Sequence, residues 1–113
     1  MPMIDSKITV PVPEKKRDIL KAEFGKAISV LGKSESYLML GFEDSYSLYF
    51  GGKKLEKGAF VSVQLLGEVN PKDSEKMTAE ICRILEKELG IPGDKVYITY
   101  SGFKNWGWNG GNF

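Results

Sequence analysis

The chain has no histidine and a single cysteine, Cys82. That removes Ser-His and Cys-His nucleophile pairs, zinc sites of the Cys/His kind and any disulfide within the chain. Acid–base work near neutral pH then falls to a carboxylate, a lysine, a tyrosine or the chain terminus. The terminus draws notice because residue 2 is proline. A small second residue permits removal of Met1, and a terminal proline nitrogen is a secondary amine rather than an amide. An ordinary α-amino group has a pKa of about 7.7–8.0, and partial burial or a nearby lysine lowers it. Such a group is a general base poised near neutrality. Taken alone, however, a Met-Pro start is commonplace and fits a terminus with no chemistry at all.

Other groups stand out by position. Lys33 closes the stretch LGK, residues 31 to 33. The plain reading is a cation solvated near a helix C-terminus, where it suits the dipole. A second Leu-Gly, at 89 and 90, is followed by Ile91, so ending a helix here does not require a cation. Tyr97 and Thr99 lie two apart in VYITY, residues 96 to 100, and share one face of a strand. The chain ends in FKNWGWNGGNF, residues 103 to 113, with both tryptophans and two of the six phenylalanines. Terminal segments usually fray; four large rings among glycines and asparagines instead suggest a tail with a structural task.

The elements that must position these groups repeat. PEKKRDILKAEFGKAISVLG, from Pro13 to Gly32, aligns without gaps on PKDSEKMTAEICRILEKELG, from Pro71 to Gly90. Each opens on proline, which fits a first helical turn, and closes on glycine, which fits just past a helix end. Apolar pairs at shared offsets are Ile19 with Met77, Phe24 with Cys82, Ala27 with Leu85 and Leu31 with Leu89. These predict two amphipathic helices of about five turns, each with those residues on its core face. Cys82 is then a buried, inert thiol, and no redox function is expected. Strand-like runs flank both helices: 3–10 and 37–42 around the first, 59–66 and 96–100 around the second. SYSLYFGG, residues 45 to 52, joins the halves through a short extra strand and a Gly-Gly turn.

The expected fold is α+β, one domain over residues 1–113: two β-α-β repeats forming a four-stranded mixed sheet with both helices on one face. Alternation in the strands is weak, as for strands covered on both sides. The bare face should therefore show many Val, Leu, Met and Tyr side chains and pack against further copies in a closed oligomer.

Together, the starting Met-Pro, LGK at 31–33, LLG at 65–67, VYITY at 96–100 and the ending GWNGGNF resemble the macrophage migration inhibitory factor family and its tautomerase relatives. The resemblance spans the whole chain. It implies a homotrimer whose sheets wrap a central channel, and keto–enol tautomerase activity on phenylpyruvate-type ketoacids and dopachrome-like compounds. Pro2 would be the catalytic base, and Lys33 would face it and hold the substrate carboxylate with the backbone N–H of Leu66. Tyr37, Trp108 and Phe113 would border the pocket, Tyr97 would line it from a neighbouring subunit, and Thr99 would contact the substrate. Thr99 stands where the mammalian protein has an asparagine, a departure that bears on substrate preference. Trp106 has no clear counterpart and reads as packing. The mammalian Cys-x-x-Cys is absent; the region reads GAFVSV, residues 58 to 63.

Two other function classes have some support in the sequence. The order β-α-β-β-α-β is shared with RNA-recognition modules, and KGAFVSV, residues 57 to 63, partly echoes their aromatic RNP1 strand. That echo lacks its first aromatic, and a net charge of +1 gives no drive toward nucleic acid. The alternative is a secreted cytokine-like protein that binds a cell-surface receptor, with vestigial tautomerase activity. No apolar run approaches a membrane span and no signal peptide is evident, so a cytoplasmic protein, or one secreted without a signal peptide, is expected. No cofactor and no metal are expected.

Overall fold

The computed structural model describes residues 1–113. Four strands form the main sheet: β1 (Pro2–Ile8), β2 (Met39–Glu43), β5 (Ala59–Leu66) and β6 (Val96–Phe103), in the order β2-β1-β5-β6. β1 runs parallel to β2 and antiparallel to β5, and β5 runs parallel to β6. Each parallel pair is bridged by a helix, α1 (Glu14–Ala27) and α2 (Pro71–Leu89) respectively. Two hairpins complete the chain, β3–β4 (Tyr49–Phe50, Lys53–Lys54) and β7–β8 (Gly107–Trp108, Gly111–Asn112). The expected α+β architecture and its two β-α-β repeats are present.

Both helices cover one sheet face. Ile4, Ile8, Val61, Val63 and Leu65 meet Leu20, Phe24, Ile28, Met77, Ile81, Ile84 and Leu85 in a single core. Ion pairs join the two helices across their outer sides: Lys16 to Glu88 at 3.4 Å, and Glu23 to Arg83 at 3.6 Å and Lys87 at 3.8 Å. Asn70 caps α2, its side-chain oxygen accepting from the N–H groups of Lys72 (2.9 Å) and Asp73 (3.1 Å).

Three expectations need correction. Ile19 is exposed and its neighbour Leu20 is fully buried, while Cys82 is only half-buried and Ile81 takes the core position. A five-residue separation turns a helix by about 500°, or some 140° away from its starting face, whereas four residues return almost to it. The pairs Leu20–Phe24 and Met77–Ile81 therefore set the buried stripes. Alternation in the two central strands is also strict rather than weak: in β1, Pro2, Ile4, Ser6 and Ile8 are buried and the residues between them are not. β5 alternates in the same way. The valines thus face the helices. The open face is mixed, with Asp5, Lys7, Ser62, Gln64 and Thr99 among Met3, Met39, Phe60, Leu66 and Tyr97. No helix is long and apolar enough to cross a membrane.

Candidate active site

The site forms where β1 begins and β5 ends. Pro2, buried, pairs with Leu65, and the ladder runs one residue further: the N–H of Leu66 donates to the Met1 carbonyl at 3.1 Å. Lys33 arrives from the end of the first helix. After Ala27 the helix tightens into a 3₁₀ turn, Ile28–Leu31, and stops at Gly32 in the left-handed region (φ 71°). The Gly32 N–H donates to Ser29 at 2.9 Å and the Lys33 N–H to Ile28 at 3.4 Å, a Schellman closure. The residue after the left-handed glycine of that motif is usually apolar and packs back on the helix. Ile91 does so after Gly90 and is fully buried. Lys33 occupies the matching place in the first repeat, and its Nζ donates to the Leu66 carbonyl at 3.0 Å. A cation thus stands where the local motif favours a hydrocarbon.

Electrostatics at the terminus follow. The terminal amine, which belongs to Met1 in this chain, is held below its usual value of 8.0, first by burial and then by the charge of Lys33. Both effects penalise the protonated form. A cavity of about 380 Å³ opens beside it, bordered by Met1, Pro2, Tyr37, Met39, Trp106 and Trp108.

Three rings form an aromatic wall. Trp108 stacks on Phe113 with centroids 5.4 Å apart, and Tyr37 meets both edge-on at 6.2 and 6.3 Å. Each is about half exposed, at 56%, 49% and 54%, so none is core packing. The wall depends on the β7–β8 hairpin, whose two-residue turn, Asn109–Gly110, has positive φ at both positions (52° and 78°). Asn-Gly suits this kind of turn, which matches the twist of its strands.

One chain therefore brings together Pro2, Lys33, Leu66, Tyr37, Trp108 and Phe113. It does not bring Tyr97 and Thr99 to them. Along β6, Gly102 is level with Leu65 and hence with Pro2, whereas Tyr97 is level with Phe60 and Lys7. Five residues of strand place Tyr97 about 17 Å away. Its ring instead meets Phe50 of the β3–β4 hairpin at 5.2 Å. Trp106, read from sequence as packing, borders the cavity. Its spacing of two from Trp108 in an extended tail was the available signal, since such residues point the same way. A larger hollow of about 580 Å³ lies at the far end, beneath the lysines of the β3–β4 hairpin. It contains neither the terminus nor any of the aromatic wall, so the smaller cavity is the candidate site.

Cys82 lies outside this region. Burial first, and Glu86 second, push its thiol upward, which disfavours the reactive thiolate.

Fold and site together define a class: a small α+β protein of two β-α-β units, with a terminal amine, a lysine and an aromatic wall at one end of its sheet. The family model "Macrophage migration inhibitory factor (MIF)" matches residues 1–113. A macrophage migration inhibitory factor homolog of Trichuris trichiura is 30% identical over 115 residues, covering all of both chains. The crystal structure of Leishmania major MIF2 superposes with a TM-score of 0.92 at 35% identity, covering 100% of this chain and 97% of that one. A homologue from Prochlorococcus marinus gives 0.87 at 28% identity, with 98% of each chain covered. The chain belongs to the macrophage migration inhibitory factor family.

Proposed function

We propose that the protein is a keto–enol tautomerase for aryl α-ketoacids of the phenylpyruvate type, with the Pro2 nitrogen as general base once Met1 is removed. The observation that carries this reading is the Met1 carbonyl on the Leu66 N–H. While Met1 is present, the Pro2 nitrogen is an amide and the Leu66 donor is occupied. Removal of Met1 frees a basic nitrogen and a backbone donor together, at one edge of one cavity. A carboxylate then fits between the Leu66 N–H and the Lys33 ammonium, whose Nζ already reaches the Leu66 carbonyl.

The chemistry follows from the charges. With the carboxylate held, the substrate ring lies against Tyr37, Trp108 and Phe113. Neutral Pro2 takes a proton from the carbon beside the ketone, and the protonated Pro2 returns it to the oxygen, so the net change is isomerisation; ketonisation is the same path in reverse. Negative charge develops on the enolate oxygen, where the Lys33 ammonium stabilises it. Burial and the Lys33 charge, which lower the Met1 amine below its ordinary value, act in the same direction on a Pro2 amine and favour its neutral form. The active assembly is a homotrimer in which a neighbour supplies Tyr97 and Thr99.

The test compares phenylpyruvate ketonisation, followed by absorbance, by protein with Met1 removed and protein that retains it, with the first residue sequenced in each. The trimmed form should be faster by a factor on the order of 100 or more, the usual contribution of a positioned base. Equal rates would refute the proposal.

A further inference from the structure

Trp106 borders two cavities at once. One is the site beside Pro2. The other, about 270 Å³, is lined by Gln64, Phe103, Asn105, Trp106 and Gly107. Met3 of the first and Gln64 of the second are direct cross-strand partners of β1 and β5. Partners on one face stand about 4.5–5.5 Å apart, so the two cavities lie side by side over adjacent strands. Trp106 and Gly107 alone are common to both linings, and glycine has no side chain. The partition is therefore the Trp106 indole.

That indole is held in place. From Ser101 to Phe113, every residue except Trp106 is exposed. Phe103 meets its ring edge-on, with centroids 6.1 Å apart and planes at 71°. The Trp106 carbonyl accepts the N–H of Phe113 at 3.1 Å, which ties the partition to the aromatic wall. The two sides also differ in chemistry: apolar and aromatic side chains dominate beside Pro2, while the side-chain amides of Gln64 and Asn105 lie beyond the indole.

We infer that Trp106 is the specificity-determining residue of the site, confining the substrate's ring to the Pro2 side and closing off the amide-bearing cavity over Gln64. This rests on the ketoacid reading given above. It predicts a preference for one-ring ketoacids, because a second fused ring collides with the indole. Shortening residue 106 joins the cavities and relaxes that preference.

The experiment measures kcat/KM for phenylpyruvate and for indolylpyruvate in full-length, Met1-trimmed protein carrying Trp106→Ala or Trp106→Phe. Trp106→Ala should raise the indolylpyruvate-to-phenylpyruvate ratio about tenfold, within the range that pocket shape supplies, and Trp106→Phe by less. An unchanged ratio, with both substrates falling together, assigns Trp106 a merely structural role and overturns the inference. If Trp106→Ala does not fold by circular dichroism, Trp106→Phe decides alone, a rise of about twofold being expected and a constant ratio overturning it. If the wild-type protein converts neither ketoacid, the tautomerase reading fails on its own, and binding decides the partition. The two indole N–H cross-peaks of ¹⁵N-labelled protein are then followed as phenylpyruvate is added. Both should shift over the same concentration range. A Trp108 signal that moves while Trp106 stays fixed, or no shift in either, overturns the inference.

Discussion

Lys33 acts through charge on the Met1 amine in this chain, and in the proposed trimmed enzyme the same charge falls on the Pro2 nitrogen and gives the proposed site its own pH signature. The charge of Lys33 contributes to holding the terminal amine below 8.0. Lys33→Gln removes that contribution, so the amine pKa rises. A base works only when neutral, so activity in the variant sets in at higher pH. The acid limb of kcat/KM against pH should move upward, and KM should increase as the carboxylate loses its cation. A limb that stays fixed would show that the Lys33 charge does not reach the base. Ser6 makes a second case at this scale. Its Oγ is buried on β1 without a hydrogen-bond partner. An unmade buried hydrogen bond costs about 1–3 kcal/mol, so Ser6→Ala should leave the melting temperature unchanged or raise it. A clear fall would reveal a partner for the hydroxyl. Sequence offered Pro2 and Lys33 as candidates because their chemistry belongs to the residue type, and the family resemblance singled them out. Leu66 was legible only by family resemblance, because a backbone N–H carries no residue signature. That Met1 occupies this donor could be learned only from the β1–β5 register.

Two joints between elements would fail in distinct ways. The first is the clip between β2 and the link from β1 to α1. The Asp44 carboxylate accepts from the Val12 N–H at 2.8 Å and from the Arg17 guanidinium at 3.2 Å. The backbone hydrogen bond from Val12 first, and then the charge of Arg17, hold this acid below its ordinary value of 3.8. A depressed carboxyl stabilises the fold above the unfolded-state pKa, and that contribution fades as pH falls through the folded-state value. Asp44→Asn should therefore lower the melting temperature at pH 7 and flatten its fall between about pH 4 and lower values. Parallel melting curves for both proteins across that window would refute the clip. The second joint is where β6 passes the end of β5. A Cβ at Gly102 would run into the Gly67 carbonyl oxygen, and the Gly67 N–H donates to Phe103 at 2.8 Å. Gly102→Ala should cost about 1–3 kcal/mol as an overpacking change and shift Leu66, weakening carboxylate binding as well as stability. Thermal melting and KM should change together; unaltered values of both would show that the joint can yield. Element order and helix ends were legible because proline, glycine and the duplication mark them. The buried helical stripes were not read correctly, because aligning two repeats finds shared offsets whether or not those offsets face the core. Ile19 and Cys82 matched their counterparts and still lost the interior to Leu20 and Ile81, which meet the four-residue period.

At the scale of the whole molecule, the open sheet face raises the question of assembly. Sequence led to an apolar face in need of cover, and the structure gives a mixed one, with Asp5, Lys7, Ser62, Gln64 and Thr99 set among apolar side chains. Such a face suits a hydrated channel better than a dry interface. In the proposed trimer, contact between copies then falls to the rims, where Met39, Tyr49 and Tyr97 are each at least 60% exposed. Tyr97 lies about 17 Å along the sheet from its own Pro2, so it can act on a substrate only from another chain. Gel filtration should give the mass of three chains. Deleting residues 104–113 should abolish both that mass and turnover, because the tail supplies Trp108 and Phe113. Mixing separates a shared site from a private one. Lys33→Ala and Tyr97→Ala chains should each be nearly inactive as homotrimers. Unfolded together in equal amounts and refolded, they form mixed rings in which some boundaries join an intact Lys33 to an intact Tyr97. Random assembly makes about one boundary in four complete, so activity near a quarter of wild type should return. If each site were built within one chain, no mixture could repair it. Activity that remained at the level of the parent variants, in rings proven mixed by native mass spectrometry, would return Tyr97 to a packing role beside Phe50.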